Sequence, residues 1–169
     1  GEARYRDRLE QIGDTIVNHL LDPDGTGWIG ENFTRDWTYD PENGEFGDRT
    51  ICGHNLKVVW TLLRISFLTG DTQLQTEART LLDFVLPTCR DSSRGGIYDM
   101  VERQTSVLVY GQQKAWWQQE QGMFATQLMG VVTGDPFYQA VSLETRDFYL
   151  RYFPDPVYGE VYNTVRGDG

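Results

Sequence analysis

The sequence predicts an all-α fold of helix hairpins, an α/α toroid in which outer helices pack on inner ones. Three observations carry this. The chain repeats itself at an offset of 64 residues, two kinds of helix alternate along it, and long loops follow a fixed order between them. Thr69-Gly70-Asp71 recurs as Thr133-Gly134-Asp135, Asp83-Phe84 as Asp147-Phe148, Asp91 as Asp155, and Gly95 as Gly159. Gly1-Glu2 reads as a further copy of the Gly-acid turn. One repeat domain therefore covers residues 1–169.

Taken in order, residues 3–20 form an amphipathic helix with Tyr5, Leu9, Ile12, Ile16 and Leu20 on one stripe. Residues 54–68 are apolar nearly all round, as a buried helix is. Their exception is one polar line, His54, Lys57, Thr61 and Arg64, which predicts that this face borders a cavity. Residues 72–86 return to the amphipathic kind through Leu74, Ala78, Leu81 and Val85. Residues 114–132 are again apolar on most sides. Residues 136–152 close the series, with Phe137, Val141, Phe148 and Tyr152 expected inward. The order is outer, inner, outer, inner, outer. The chain starts after the place of one inner helix and stops before another, so a piece of a longer toroid is expected.

Composition narrows the partners. A net charge of −10 argues against nucleic acid and anionic membrane surfaces, since both are bound by cations. Two cysteines, Cys52 and Cys89, have no metal-type spacing, which fits a reducing cytoplasm and no metal site. The loops 28–53 and 94–113 are long for connections in a compact domain and interleave aromatics with Asp, Asn and Arg. Such a mixture suits a sugar, with rings against the apolar face of a pyranose and polar groups on its hydroxyls. It equally suits a structural plug at the mouth of the toroid.

Four motifs give the chain a resemblance. Glu31-Asn32-Phe33 with Asp36-Trp37, Gly53-His54-Asn55-Leu56, Lys114-Ala115-Trp116-Trp117-Gln118-Gln119 and Asp155-Pro156-Val157-Tyr158-Gly159-Glu160 occur in that order. Together they resemble the N-acylglucosamine 2-epimerase family, which includes cellobiose 2-epimerases and mannose isomerases. The resemblance implies an (α/α)6 barrel, of which about five of twelve helices fall in this chain. It implies proton transfer at C2 of an open-chain mono- or disaccharide, with histidine as general acid/base and no cofactor. His54 matches one family histidine; the others are expected before residue 1 and after residue 169. His19 reads as a surface residue near a helix C-terminus. The implied sugar contacts are Trp37, Arg49, Lys57, Trp116, Trp117 and Gln121.

The chain departs from the family pattern twice. Lys57 stands where glutamate usually follows the histidine, and Gln121 where the Trp-Trp motif usually continues to glutamate. The two positions are 64 residues apart and are expected to face one cavity. Lys57 either pairs with Glu120 or Asp36 at the rim, or changes the substrate or the chemistry. A glycoside hydrolase or lyase using Asp36 and Asp48, and a non-catalytic carbohydrate-binding protein, are the competing functions. Inner-helix flanks left uncovered predict self-association.

Overall fold

A computed structural model describes residues 2–166. Five helices run in chain order: α1 (Glu2–Thr15), continued by a π-helical turn at Ile16–Leu20, α2 (Cys52–Thr69), α3 (Gln73–Cys89), α4 (Trp116–Thr133) and α5 (Pro136–Tyr152). Each inner helix packs on the outer helix that follows it, α2 on α3 and α4 on α5, and α2 also packs on α4. The core lies between these layers, with Leu56, Val59, Leu62 and Leu63 of α2 fully buried against Leu82, Val85 and Met129.

The 64-residue offset is visible bond for bond. Gly70 and Gly134 end α2 and α4 in the left-handed conformation, at φ 81° and 69°. The Thr69 and Thr133 hydroxyls each accept the N–H two residues on. Asp71 and Asp135 then accept the N–H that opens the next helix. Gly1, read with Glu2 as a further copy of this turn, lies outside the described residues. After α3 and α5 an aspartate closes a five-residue turn: the Asp91 carbonyl accepts the Gly95 N–H, as that of Asp155 accepts the Gly159 N–H.

Four short strands pair in the loops, and they repeat as well. β1 (Arg49–Ile51) lies antiparallel to β2 (Met100–Glu102), and β3 (Lys114–Ala115) to β4 (Thr164–Val165). These pairs supply what the inner helices lack. Neither α2 nor α4 has a side-chain cap of its own at the N-cap position. The first N–H of α2, from Cys52, goes to the Asp99 carbonyl at 2.9 Å; that of α4, from Trp116, goes to the Asn163 carbonyl at 3.2 Å. Each inner helix is therefore capped by the loop of the following hairpin.

Two expected stripes differ. In α5, Phe137 is exposed and its neighbour Tyr138 is buried, together with Val141, Ser142, Thr145 and Phe148. The Tyr138 hydroxyl bonds Asp83 of α3, which lets a tyrosine fill the inward position without an unpaired polar group. In α1, Tyr5 and Ile12 are exposed while Ile16 is buried. Leu9 and Leu20 of the same stripe are packed against the core. The α3 stripe of Leu74, Ala78, Leu81 and Val85 is buried as expected.

Candidate functional site

The segment that feeds the site, Trp28–Glu31, is held from both sides at Ile29. Asn55, buried in the first turn of α2, accepts the Ile29 N–H at 3.2 Å and donates to the Thr50 hydroxyl and the Ile51 carbonyl. Arg103, fully buried, donates through Nε to the Ile29 carbonyl at 3.0 Å. Its guanidinium also pairs with Asp24 at 2.5 Å and Asp48 at 2.9 Å and lies over the Tyr39 ring. Burial and the Asp48 carboxylate push the Tyr39 hydroxyl well above the usual phenol range. Trp28 is fully buried, its indole N–H on Ser106. Trp28, Tyr39, Asp48 and Arg103 are thus a structural knot rather than a sugar surface.

The knot delivers Glu31 to His54. One Glu31 oxygen, Oε1, accepts the Thr50 hydroxyl at 3.0 Å and the Ile51 N–H at 2.9 Å; the other, Oε2, lies 2.9 Å from His54 Nδ1. A carboxylate accepts, so the Nδ1 proton is fixed and Nε2 is the free nitrogen. His54 Nε2 has no hydrogen-bond partner among the described residues, and the ring lines a cavity of about 430 Å³. The Trp117 ring stands 5.4 Å from the imidazole.

Gly53 permits that approach. A Cβ at Gly53 would lie 2.7 Å from the Trp117 ring and 2.7 Å from the Gln118 side chain. Gln118 accepts the Gly53 N–H at 2.7 Å and donates to Asp99, tying the starts of α2 and α4 together. Gly53→Ala should therefore separate the two helix starts. The expected loss is about 1–3 kcal/mol of stability, read as a lower midpoint in urea unfolding.

The cavity gathers part of the expected set. Glu31, Trp37, His54, Lys57 and Thr61 line it, with Ile12, Ile16 and Phe33 among its apolar walls. Trp37 holds a left-handed φ of 65° and stacks on His19 at 5.2 Å, so His19 is a half-buried support for the wall rather than a free surface residue. Other residues go elsewhere. Arg49 does not line the cavity; it donates to Glu102 at 2.9 Å across the β1–β2 pair. Gln121 is taken up by the Trp60 indole N–H at 2.7 Å. Trp116 is half-buried at the start of α4 and does not line the cavity. Arg64 is exposed beyond it.

Asp36 and Asp48 sit in separate networks. The Thr34 hydroxyl bonds Asp36 and lowers its pKa, whereas Asp48 is bound by Arg103 and Tyr39, so the structure does not present them as a pair of catalytic carboxylates. Lys57 forms no ion pair with Glu120, Asp36 or any other described carboxylate within 4 Å. Sequence reasoning missed Asn55 and gave Glu31 no role; their places next to His54 and in Glu31-Asn32-Phe33 were the available signal.

Comparison with known proteins follows the same lines. The model of the N-acylglucosamine 2-epimerase (GlcNAc 2-epimerase) family matches residues 1–169. The N-acylglucosamine 2-epimerase of Bos taurus is 25% identical over 166 residues, covering 94% of this chain and 38% of that protein. A solved D-mannose isomerase superposes with a TM-score of 0.84 at 19% identity, over 98% of this chain and 44% of its own. The cellobiose 2-epimerase from Bacillus thermoamylovorans B4167 does so with a TM-score of 0.79 at 17% identity, over 98% and 40%. The fold is thus that of part of an α/α toroid, and the chain spans less than half the length of these relatives.

Proposed function

The chain belongs to the N-acylglucosamine 2-epimerase family, and on that premise we propose that it contributes the general-base half of a sugar 2-epimerase or aldose–ketose isomerase site. The observation that carries the reading is the Glu31–His54 pair at the wall of the cavity. In the proposed step, neutral His54 takes the C2 proton of an open-chain sugar through Nε2. The electron pair moves onto the carbonyl oxygen to give an enediolate. Return of a proton to the opposite face of C2 yields the epimer, and return to C1, with the O2 proton passing to O1, yields the ketose. Glu31 holds the imidazole in the productive tautomer and stabilises the imidazolium that forms.

Trp117, which is next to His54 although it does not line the cavity, and Trp37, which does, offer faces for the sugar ring. No metal or cofactor is required by this chemistry. Among the described residues, no helix is long and apolar enough to cross a membrane. The same reading places the protein in the cytoplasm, in keeping with two buried free thiols. It also includes self-association, supported by Leu68 and Val131, which are 61% and 64% exposed. The test is loss of the C2–H signal of mannose, N-acetylmannosamine or cellobiose in D2O, followed by NMR. Exchange of at least one sugar above the buffer rate is expected.

A further inference from the structure

We propose that Lys57 makes the cavity select a sugar bearing an anionic group, a carboxylate or a phosphate, over its neutral counterpart. This rests on the sugar reading of the same site and names the substrate class more narrowly.

Four observations lead there. Lys57 is the one lysine or arginine among the described residues that line the cavity, and it stands one turn along α2 from His54. Side chains three apart on a helix are neighbours, about 5–6 Å between Cβ atoms, so Lys57 and His54 leave the same face of α2 side by side. The ammonium is unpaired among the described residues. Several cations near the loops are engaged, Arg49 by Glu102, Arg90 by Glu144, Arg103 by Asp24 and Asp48, and Lys114 by Asp91, whereas Arg35 is exposed without an ion pair among the described residues but does not line the cavity. In a chain with 25 acidic and 15 basic residues, partners are plentiful, and this lysine, exposed where it lines the cavity, has none among the described residues.

The carboxylate of the cavity is spent as well. Its oxygens are held by Thr50 and Ile51 on one side and His54 on the other, and Glu31 forms no ion pair with Lys57 within 4 Å. Finally, Arg64 follows on the same face of α2, about 10 Å further along, exposed and without an ion pair among the described residues. The positive line is local. The chain as a whole carries −10 and repels anions, so an anionic sugar must be held by this line rather than by the general field.

A positive cavity wall also bears on the reaction. A cation there favours an enediolate, whose negative charge develops during proton abstraction. The lysine donates no proton and forms no covalent bond in this account.

The test uses the intact chain and three sugars: glucose, glucuronate and glucose 6-phosphate. Binding is followed by ligand-observed NMR, and the readout is the affinity ratio of each anionic sugar to glucose. One charge-assisted contact predicts a ratio of about tenfold or more for at least one anionic sugar. Glucuronate and glucose 6-phosphate tell carboxylate from phosphate. Lys57→Gln should bring the ratio to near one, and Lys57→Arg should keep it. Equal binding of all three sugars to the unaltered chain, or a ratio that survives in Lys57→Gln, overturns the proposal. C2–H exchange, recorded separately, reports on the proton-transfer reading. A chain that exchanges neutral sugars without an anion preference keeps that reading and loses this one.

Discussion

Asp91→Asn is expected to lower the melting temperature by about 10 °C. Asp91 and Lys114 are 2% and 0% exposed, and their ion pair is 2.8 Å long. Lys114 also donates to the Gly95 carbonyl and lies 4.1 Å from the Phe148 ring centroid. Removing the carboxylate leaves an ammonium buried with no counter-charge, at a cost of about 3–5 kcal/mol. For a chain of this size that corresponds to roughly 2–4 °C per kcal/mol. The loss should propagate to the site, because Lys114 in β3 leads directly into Trp116 and Trp117 of α4.

The pH dependence follows from Asp91. Burial alone would raise its pKa. The Lys114 ammonium, the Ser93 hydroxyl and the N–H groups of Ser93 and Arg94 outweigh that and hold it well below the ordinary 3.8. A carboxyl with a depressed folded-state pKa adds stability that is fully present above the unfolded value. That stability is lost as pH falls from there toward the folded value. The difference in melting temperature between the unaltered chain and Asp91→Asn should be constant down to about pH 4 and should narrow below it, as thermal melts across a pH series would show.

Glu31→Gln is expected to reduce C2–H exchange by about 100-fold or more, with little loss of sugar binding. The amide has a single acceptor oxygen, which Thr50 and Ile51 hold. Its NH2 group then faces His54 Nδ1 and donates to it, which puts the ring proton on Nε2, where the base must be free. A carboxylate that orients a catalytic histidine is worth about 10²–10⁴ in rate. Kinetics at saturating sugar, with affinity measured separately, distinguish this from a binding defect. The ring-nitrogen shifts of His54 in ¹⁵N NMR should show the tautomer change.

Much of the fold could be read from the chain because its punctuation is local. Thr-Gly-Asp forces a left-handed glycine and a capping aspartate within three residues, so Gly70 and Gly134 mark the same turn wherever they stand. His54 could be read for the same reason, as part of a polar line on an otherwise apolar helix. What escaped is held by distant partners. Glu31 meets His54 across 23 residues of loop, and Arg103 fixes that loop from 74 residues beyond Ile29. Arg49 looked free for a ligand until strand pairing set it against Glu102, 53 residues on. Gln121 was claimed by the Trp60 indole, a partner that only the packing of α4 on α2 supplies. Phe137 and Tyr138 exchanged places because hydrophobicity ranks phenylalanine first, while the buried hydroxyl found Asp83.

The most direct test of the account is C2–H exchange in D2O by the unaltered chain and by His54→Gln, side by side. The unaltered chain should exchange a sugar C2 proton, and the rate should fall by at least about 100-fold in the variant, with the fold intact by circular dichroism. Exchange that continues undiminished without the imidazole, or no exchange by the unaltered chain, would contradict it.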